Sequence, residues 1–356
     1  MNKQCIKNYN KDDLIKFCEN NKIEKYRSLQ IFQELYYHKR QNFNEFKSLP
    51  IELRNLLNEK FDLYSLKIKK LRKSQDGSIK FLFELIDGKL VESVYMPWYS
   101  DDFNEIERIT LCVSTMAGCP VECAFCATGT LGFQRNLTVA EIIDQVIIVE
   151  QELSSKITNI VFMGMGEPLL NYNNVKKAIS IFTNPDANFF SRKKITLSTV
   201  GITEKIKQLA DEENPPKLAL SLHATTNGFR QKIIPLSKKT TLKSIMDAIE
   251  YYYRKTGMPI TYEYIPFDGL NDTDNDAKRL ARIIKRVPSK VNIIPFNDIS
   301  FAFPNIVGKN LKPTPKDKIL AFGNKVKEYG GKVTIRDTFG TDIEAACGQL
   351  ALSDKS

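Results

Sequence analysis

Three cysteines set as Cys-x-x-x-Cys-x-x-Cys, namely Cys119, Cys123 and Cys126 in GCPVECAFCATGTLG, constrain this chain more than any other feature. Thiolates at that spacing can face one inorganic centre from a single loop. A [4Fe–4S] cube has four irons, each wanting a ligand, so three cysteines leave one iron open. The open corner suits a small chelating molecule, S-adenosylmethionine foremost, held by its amino and carboxylate groups. Iron–sulfur chemistry can then split the sulfonium and release a carbon radical. The alternative is a zinc site or a set of buried cysteines. Zinc favours Cys-x-x-Cys pairs that close with four ligands. Only one pair here has that gap, and no histidine lies near it.

The rest of the composition agrees with redox chemistry in a reducing compartment. The cysteines number seven, an odd count, and Cys112, Cys119, Cys123 and Cys126 crowd together, unlike a secreted disulfide framework. The chain has 356 residues, enough for a large catalytic domain and a small one. No apolar run approaches the roughly 20 residues of a membrane helix. The start, MNKQCIKNYNKDD, lacks the apolar core of a signal peptide. A soluble cytoplasmic protein without membrane contact is expected. The net charge of +10 favours an anionic partner, nucleic acid being the commonest. With only His38 and His223 available, a histidine triad or zinc hydrolase is disfavoured.

Periodicity divides the chain. Residues 1–78 read as a helical accessory domain for RNA binding, with apolar residues at helical intervals in Lys11–Asn20 and Tyr26–His38. Positive charge gathers at YYHKR (36–40) and LKIKKLRK (66–73), with Tyr36 and Tyr37 interleaved, which suits a phosphate backbone or a solvated helix face. Residues 79–104 read as a β-hairpin joint turning at Asp87-Gly88. Residues 105–338 alternate strand-like runs with helices, and Thr138 and Glu141 form a capping box. Gly257 stops a helix over Thr241–Thr256. Such alternation predicts an α/β fold, a partial (β/α) barrel with its active site at the C-terminal strand ends. The cysteine loop follows the first of those strands. Residues 339–356 form a C-terminal segment.

Several strand ends are polar. Gly164-Met165-Gly166-Glu167-Pro168 follows the second strand, with glycines for close backbone approach and a carboxylate suited to an α-ammonium group. Ser198-Thr199, Ser221-Leu222-His223 and Pro295-Phe296-Asn297 end later strands. Any one of these could be a cap or turn, but their repetition points to a polar pocket. The tail IEAACGQL places Cys347 in a slim backbone able to thread into a pocket, beside a glycine that tolerates unusual torsions. Alone it could be an idle thiol, and Cys112 could be a buried apolar one.

The cysteine loop, with Phe125 before its last cysteine, resembles the radical S-adenosylmethionine enzymes. TLCVSTMAGCPVECAFCATGTLGFQRNLT, FMGMGEPLLN, SLHA and DIEAACGQL together resemble the RlmN/Cfr family of rRNA methyltransferases, from about Tyr26 to Leu350. The resemblance implies a partial barrel with a small helical N-terminal domain. It implies methylation of an adenosine in 23S rRNA near the peptidyl transferase centre, and in many RlmN members also of an adenosine beside the tRNA anticodon. Carbon-2, the RlmN target, is electron-poor and lacks a lone pair, which is why a radical is needed.

By the same resemblance, Cys119, Cys123 and Cys126 hold the [4Fe–4S] cluster. Gly166, Glu167, Ser198, Ser221, Leu222, His223 and Asn297 contact S-adenosylmethionine. Cys347 takes a methyl from one S-adenosylmethionine, and a second, cleaved at the open iron, activates that methyl for addition to the adenine. Cys112 then attacks Cys347, giving a transient disulfide and free product. Glu92, in VESVYMP, matches the proton acceptor, although a strand glutamate could equally face solvent. An external electron donor such as flavodoxin is required, and a monomer is expected. Phe339-Gly340 resembles the Cfr branch, which methylates carbon-8 and confers antibiotic resistance, whereas Pro168-Leu169-Leu170-Asn171 resembles RlmN. Phe301–Lys312 fits neither and could be a substrate loop. A non-catalytic RNA-binding protein with a structural zinc is the competing class, and it has no use for Cys347 or Cys112.

Overall fold

A computed structural model describes residues 3–100, 105–297, 299, 311–336 and 338–351. Its centre is a ten-stranded sheet whose spatial order is the chain order. The strands are β1 (Leu66–Lys73), β2 (Ile79–Leu85), β3 (Leu90–Tyr99), β4 (Ile106–Cys112), β5 (Asn159–Phe162), β6 (Ile195–Thr199), β7 (Lys217–Ser221), β8 (Ile260–Tyr264), β9 (Ser289–Ile293) and β10 (Val333–Ile335). The first four pair antiparallel, and β4 through β10 pair parallel. Parallel pairs need long crossovers, and helices supply them. The expected radical-enzyme partial barrel is therefore present, with an antiparallel extension on one side.

Alternation along the parallel strands sorts the barrel into two faces. Leu197, Leu218, Leu220, Tyr262, Val291 and Ile293 are buried against the outer helices. Thr110, Thr196, Thr261, Glu263, Asn292 and Thr334 line a cavity of about 1010 Å³ on the other face. Parallel strands buried on both faces usually read as continuous apolar runs. Here every second residue is spent on a polar lumen, so the sequence alternates.

The helices follow local signals. Thr138 accepts from the Glu141 N–H and Glu141 from the Thr138 N–H, the anticipated capping box, at the start of α4 (Val139–Leu153). Another helix, α5 (Leu242–Thr256), ends at Gly257 with φ +66°. In front of the barrel, α1 (Lys11–Asn20), α2 (Arg27–Tyr36) and α3 (Ile51–Lys60) form the helical N-terminal unit. A buried ion pair anchors it. Lys7 meets Asp144 of α4 at 2.6 Å, and Ser65 donates twice to the same carboxylate.

Two expectations for this region are corrected. LKIKKLRK is the edge strand β1 and not a helix, so the cut at residue 78 falls inside one continuous sheet. Alternation of Leu66 and Ile68 with lysines, carried on to Leu71 across a bulge between Ile68 and Lys70, placed it there, and lysines also protect an exposed edge from pairing. Tyr36 is fully buried, its hydroxyl donating to the carbonyls of Lys7 and Tyr9. In the same YYHKR run Lys39 pairs with Glu150 and Arg40 with Glu34. Tyr37 alone of the two tyrosines is exposed. Positions 301–310 of the anticipated substrate loop lie outside the described residues. No described helix is long and apolar enough to cross a membrane.

Candidate active site

The cysteine loop is pinched at its base by a hairpin of Met116–Gly118 with Phe133–Asn136, and the Cys119 N–H donates to the Gly132 carbonyl at 3.1 Å. Its thiols pack against Val121, Phe125, Ile233, Phe267 and Phe296. Burial pushes the Cys119 thiol up to about 12 and raises Cys123 and Cys126 as well. Negative charge on Cys126 raises the other two further. Three neighbouring thiols in an apolar recess ionise only when a strongly cationic centre binds them. Arg230 already supplies one positive charge there. It is 1% exposed, donates to the carbonyls of Leu222 and Ser221, and keeps a buried Nη1 without a partner. Among the described residues no three His, Cys, Asp or Glu side chains are set to hold a single metal ion. The donor set suits an iron–sulfur cube better than a zinc ion.

The glycine-rich turn after β5 lies against this loop. A Cβ on Gly166 (φ +104°) would come within 2.7 Å of Met116, so only glycine fits. Glu167 is buried, and its carboxylate accepts from the N–H groups of Val200 at 2.8 Å and Leu169 at 3.1 Å. Burial lifts its pKa to about 7 against the pull of those hydrogen bonds. Ser198 and Ser221 touch through their hydroxyls at 3.2 Å. Leu222 is buried beside them. His223 sits at φ +51°, a strained conformation for a non-glycine residue. Its Nδ1 accepts from the Ile265 N–H at 3.2 Å, which leaves Nε2 as the donor of a neutral ring. Burial and Arg230 lower its pKa to about 3, so it stays neutral.

The C-terminal segment closes over this end of the barrel. Asp342 accepts from the Ser74 hydroxyl and the Gln75 N–H, Asp76 accepts from the Gly340 N–H, and Lys80 donates to the Glu344 carbonyl. The β1–β2 hairpin thus captures the turn-rich tail that follows β10. Further on, the Ala127 N–H donates to the Gly348 carbonyl at 2.7 Å and the Thr128 hydroxyl to Leu350. Gly348, at φ +83°, leaves no room for a Cβ against Phe125. Between these anchors Asn297 donates to the Cys347 carbonyl at 3.2 Å. Asn297 therefore holds the tail, whatever else it contacts.

This threading brings Cys347 and Cys112 to one cavity, with Cys126 near the first. Cys112 is buried at the upper end of β4, and burial, then the Cys347 charge, push its thiol up to about 12. Cys347 is accessible from the cavity, and its thiol is raised by burial against the pull of Arg336. Glu92 is not the solvent-facing residue that a strand position allows. It is 1% exposed and paired with buried Lys80 at 3.3 Å, and Lys80 in turn holds the tail.

The cavity also contains residues that motif reading missed. Glu263 is buried on β8, with Oε1 accepting from Asn292 at 3.0 Å and Oε2 buried without a partner. Burial raises its pKa, and Arg336 opposes that rise. Arg336, just beyond β10, lines the same cavity as both thiols. Strand alternation could have flagged Glu263 and Asn292, since both break otherwise apolar runs. Arg230 lies on a short helix with no such signal.

The chain is similar to known proteins over most of its length. The Radical SAM superfamily model matches residues 113–281. The "Probable dual-specificity RNA methyltransferase RlmN" of Thermotoga neapolitana is 46% identical over 345 residues, covering 97% of this chain and 96% of its own. A namesake from Thermus thermophilus is 45% identical over 332 residues, covering 92% and 90%. Among solved structures, a radical SAM methyltransferase from Sphaerobacter thermophilus superposes with a TM-score of 0.88 at 34% identity, covering 98% of this chain and 99% of that one.

Proposed function

The chain belongs to the RlmN family of radical S-adenosylmethionine RNA methyltransferases, and from that premise we propose that it methylates carbon-2 of an adenosine in 23S rRNA, and an adenosine beside the tRNA anticodon. The observation that carries this reading is the threading of the tail. Gly348 and Leu350 are bonded to the cysteine loop, so that Cys347 faces the cavity that Cys112 also lines.

Cys119, Cys123 and Cys126 would hold a [4Fe–4S] cluster, which with S-adenosylmethionine supplies the one-electron chemistry that a carbon lacking a lone pair demands. Gly166, Glu167, Ser198, Ser221, Leu222, His223 and Asn297 would contact that S-adenosylmethionine. Glu167 matches an α-ammonium, and neutral His223 offers a donor without adding charge. Cys347 acts as a thiolate nucleophile and takes a methyl from one S-adenosylmethionine, with Arg336 favouring the thiolate. A second S-adenosylmethionine is consumed per turnover. The methyl on Cys347 would give up one hydrogen atom to the adenosyl fragment of that second molecule, its carbon would bond to the adenine, and Glu92 would accept the proton whose loss, together with one electron returned to the cluster, restores aromaticity. Cys112 attacks the Cys347 sulfur, releasing the product and leaving a disulfide for an external donor to reduce. A flavodoxin-like donor would serve the cluster.

The test is anaerobic turnover of the reconstituted protein on protein-free 23S rRNA and on tRNA, with nucleosides read by mass spectrometry. We expect 2-methyladenosine, absent with Cys347→Ala. An 8-methyladenosine product would move the chain to the Cfr branch, which Phe339 resembles and where it packs on Trp98 at 4.6 Å between ring centres. No methylated adenosine despite an intact cluster would sink the substrate assignment.

A further inference from the structure

The cavity has a second end that the chemistry above does not use. Lys193, Lys217, Lys290 and Lys332 stand at the N-terminal ends of neighbouring strands and line it there. All four are exposed, and none forms an ion pair among the described residues. Arg108, stacked on Trp98 at 4.2 Å, adds a fifth cation on the same wall. Like charges gathered together cost free energy, and a charged rim on a low-dielectric cavity focuses its field inward. The Lys217 pKa is lowered first by partial desolvation at the rim and then by Lys194, Lys290, Lys193 and Arg108, a sign that these charges feel one another.

At the inner end are thiols. Arg108 and Cys112 lie on one face of β4, four residues apart, so roughly 13 Å separates the rim from Cys112 at the usual strand rise. From the other side, the tail anchored on Ala127, Thr128 and Asn297 covers the approach.

We propose that the lysine-rimmed mouth is a port for a small anionic molecule, and that its ligand is an anionic low-molecular-weight thiol that reduces the Cys112–Cys347 disulfide. The redox half of this rests on the function proposed above. A thiolate entering from the mouth attacks the nearer sulfur, the S–S bond breaks, and one cysteine leaves as thiolate. A second thiol then displaces the mixed disulfide. Two thiols are oxidised to one disulfide, and Cys112 and Cys347 each regain a proton. The port admits this reductant while RNA occupies the opposite end. The concave placement of the lysines on a cavity wall favours a small molecule over an RNA backbone.

Two measurements on the reconstituted protein test the port. In the first, reduced protein is alkylated with iodoacetate or iodoacetamide, and Cys112 modification is counted by mass spectrometry, each rate normalised to a free cysteine peptide. In the second, oxidised protein is reduced by mercaptoethanesulfonate, mercaptoethanol or cysteamine. We expect the anionic reagents to be favoured about tenfold at low ionic strength, within the range of electrostatic steering. Added salt should erase that preference, and the Lys217→Glu/Lys290→Glu double variant should reverse it. Lys217→Gln/Lys290→Gln, which adds no charge, should abolish the preference without reversing it. Equal rates for all charges would overturn the port. So would loss of rRNA binding in the glutamine variant with unchanged alkylation, which would assign the lysines to RNA. A charge preference at Cys112 with no disulfide after turnover would overturn the reductant and the redox reading together, while leaving an anion port.

Discussion

Two sets of cysteines serve this protein, and they are assembled in opposite ways. Cys119, Cys123 and Cys126 come from one loop, closed by a local hairpin and bonded largely within itself. Cys112 and Cys347 come from the first parallel strand and the last described turn, and line one cavity because the tail is held at six places, from Gly340 to Leu350. A centre made of neighbours in sequence forms with its loop. A pair made of distant residues depends on every anchor between them.

The comparison breaks most severely at the loop. Cys123→Ala should abolish turnover and drop iron and sulfide far below about four per protein, whereas Cys347→Ala and Cys112→Ala should keep the full iron content. Elemental analysis separates the two sets directly. Next in size are the pair's own failures. Cys347→Ala should yield no methylated adenosine, while Cys112→Ala should stall after bond formation and accumulate a protein–RNA adduct visible on denaturing gels.

Anchors come third. Asp342→Ala removes two hydrogen bonds that seat the tail, each worth about 1 kcal/mol. Turnover should fall about thirtyfold by the usual free-energy conversion while iron content is unchanged, and a matching iron loss would refute the independence of the two sets. The smallest effect concerns S-adenosylmethionine. Glu167 has a pKa lifted to about 7 by burial, so it gains charge as pH rises through that value. Binding of a cationic ammonium should strengthen in the same direction, by about fourfold from pH 6.5 to 8. Isothermal titration across that window should show the slope, and Glu167→Gln should flatten it.

Much of this was legible in the chain. The capping box at Thr138, the stop at Gly257 and the strand runs of the barrel all appear where periodicity put them, because each is decided by residues within one turn or pleat. LKIKKLRK was not legible, since a short alternation of lysine with aliphatics fits an exposed helix face as well as an edge strand. Tyr36 was misread for a similar reason: aromatic and basic residues side by side look like an RNA surface until packing buries the ring. Glu263 carried no motif, and its importance lies in an unpartnered oxygen that only the assembled lumen reveals.

The amino-acid sequence alone determined the cysteine loop, the succession of strands and helices, and the kinship with methyl-transferring radical enzymes, because spacing and period are properties of neighbours. Only the tertiary structure decided that the β1–β2 hairpin clasps the tail, that Glu92 is sealed against Lys80, and that lysines without an ion pair among the described residues line the far mouth of the barrel. Burial, charge pairing and approach between distant residues depend on register and packing across the whole sheet, and no local pattern encodes them.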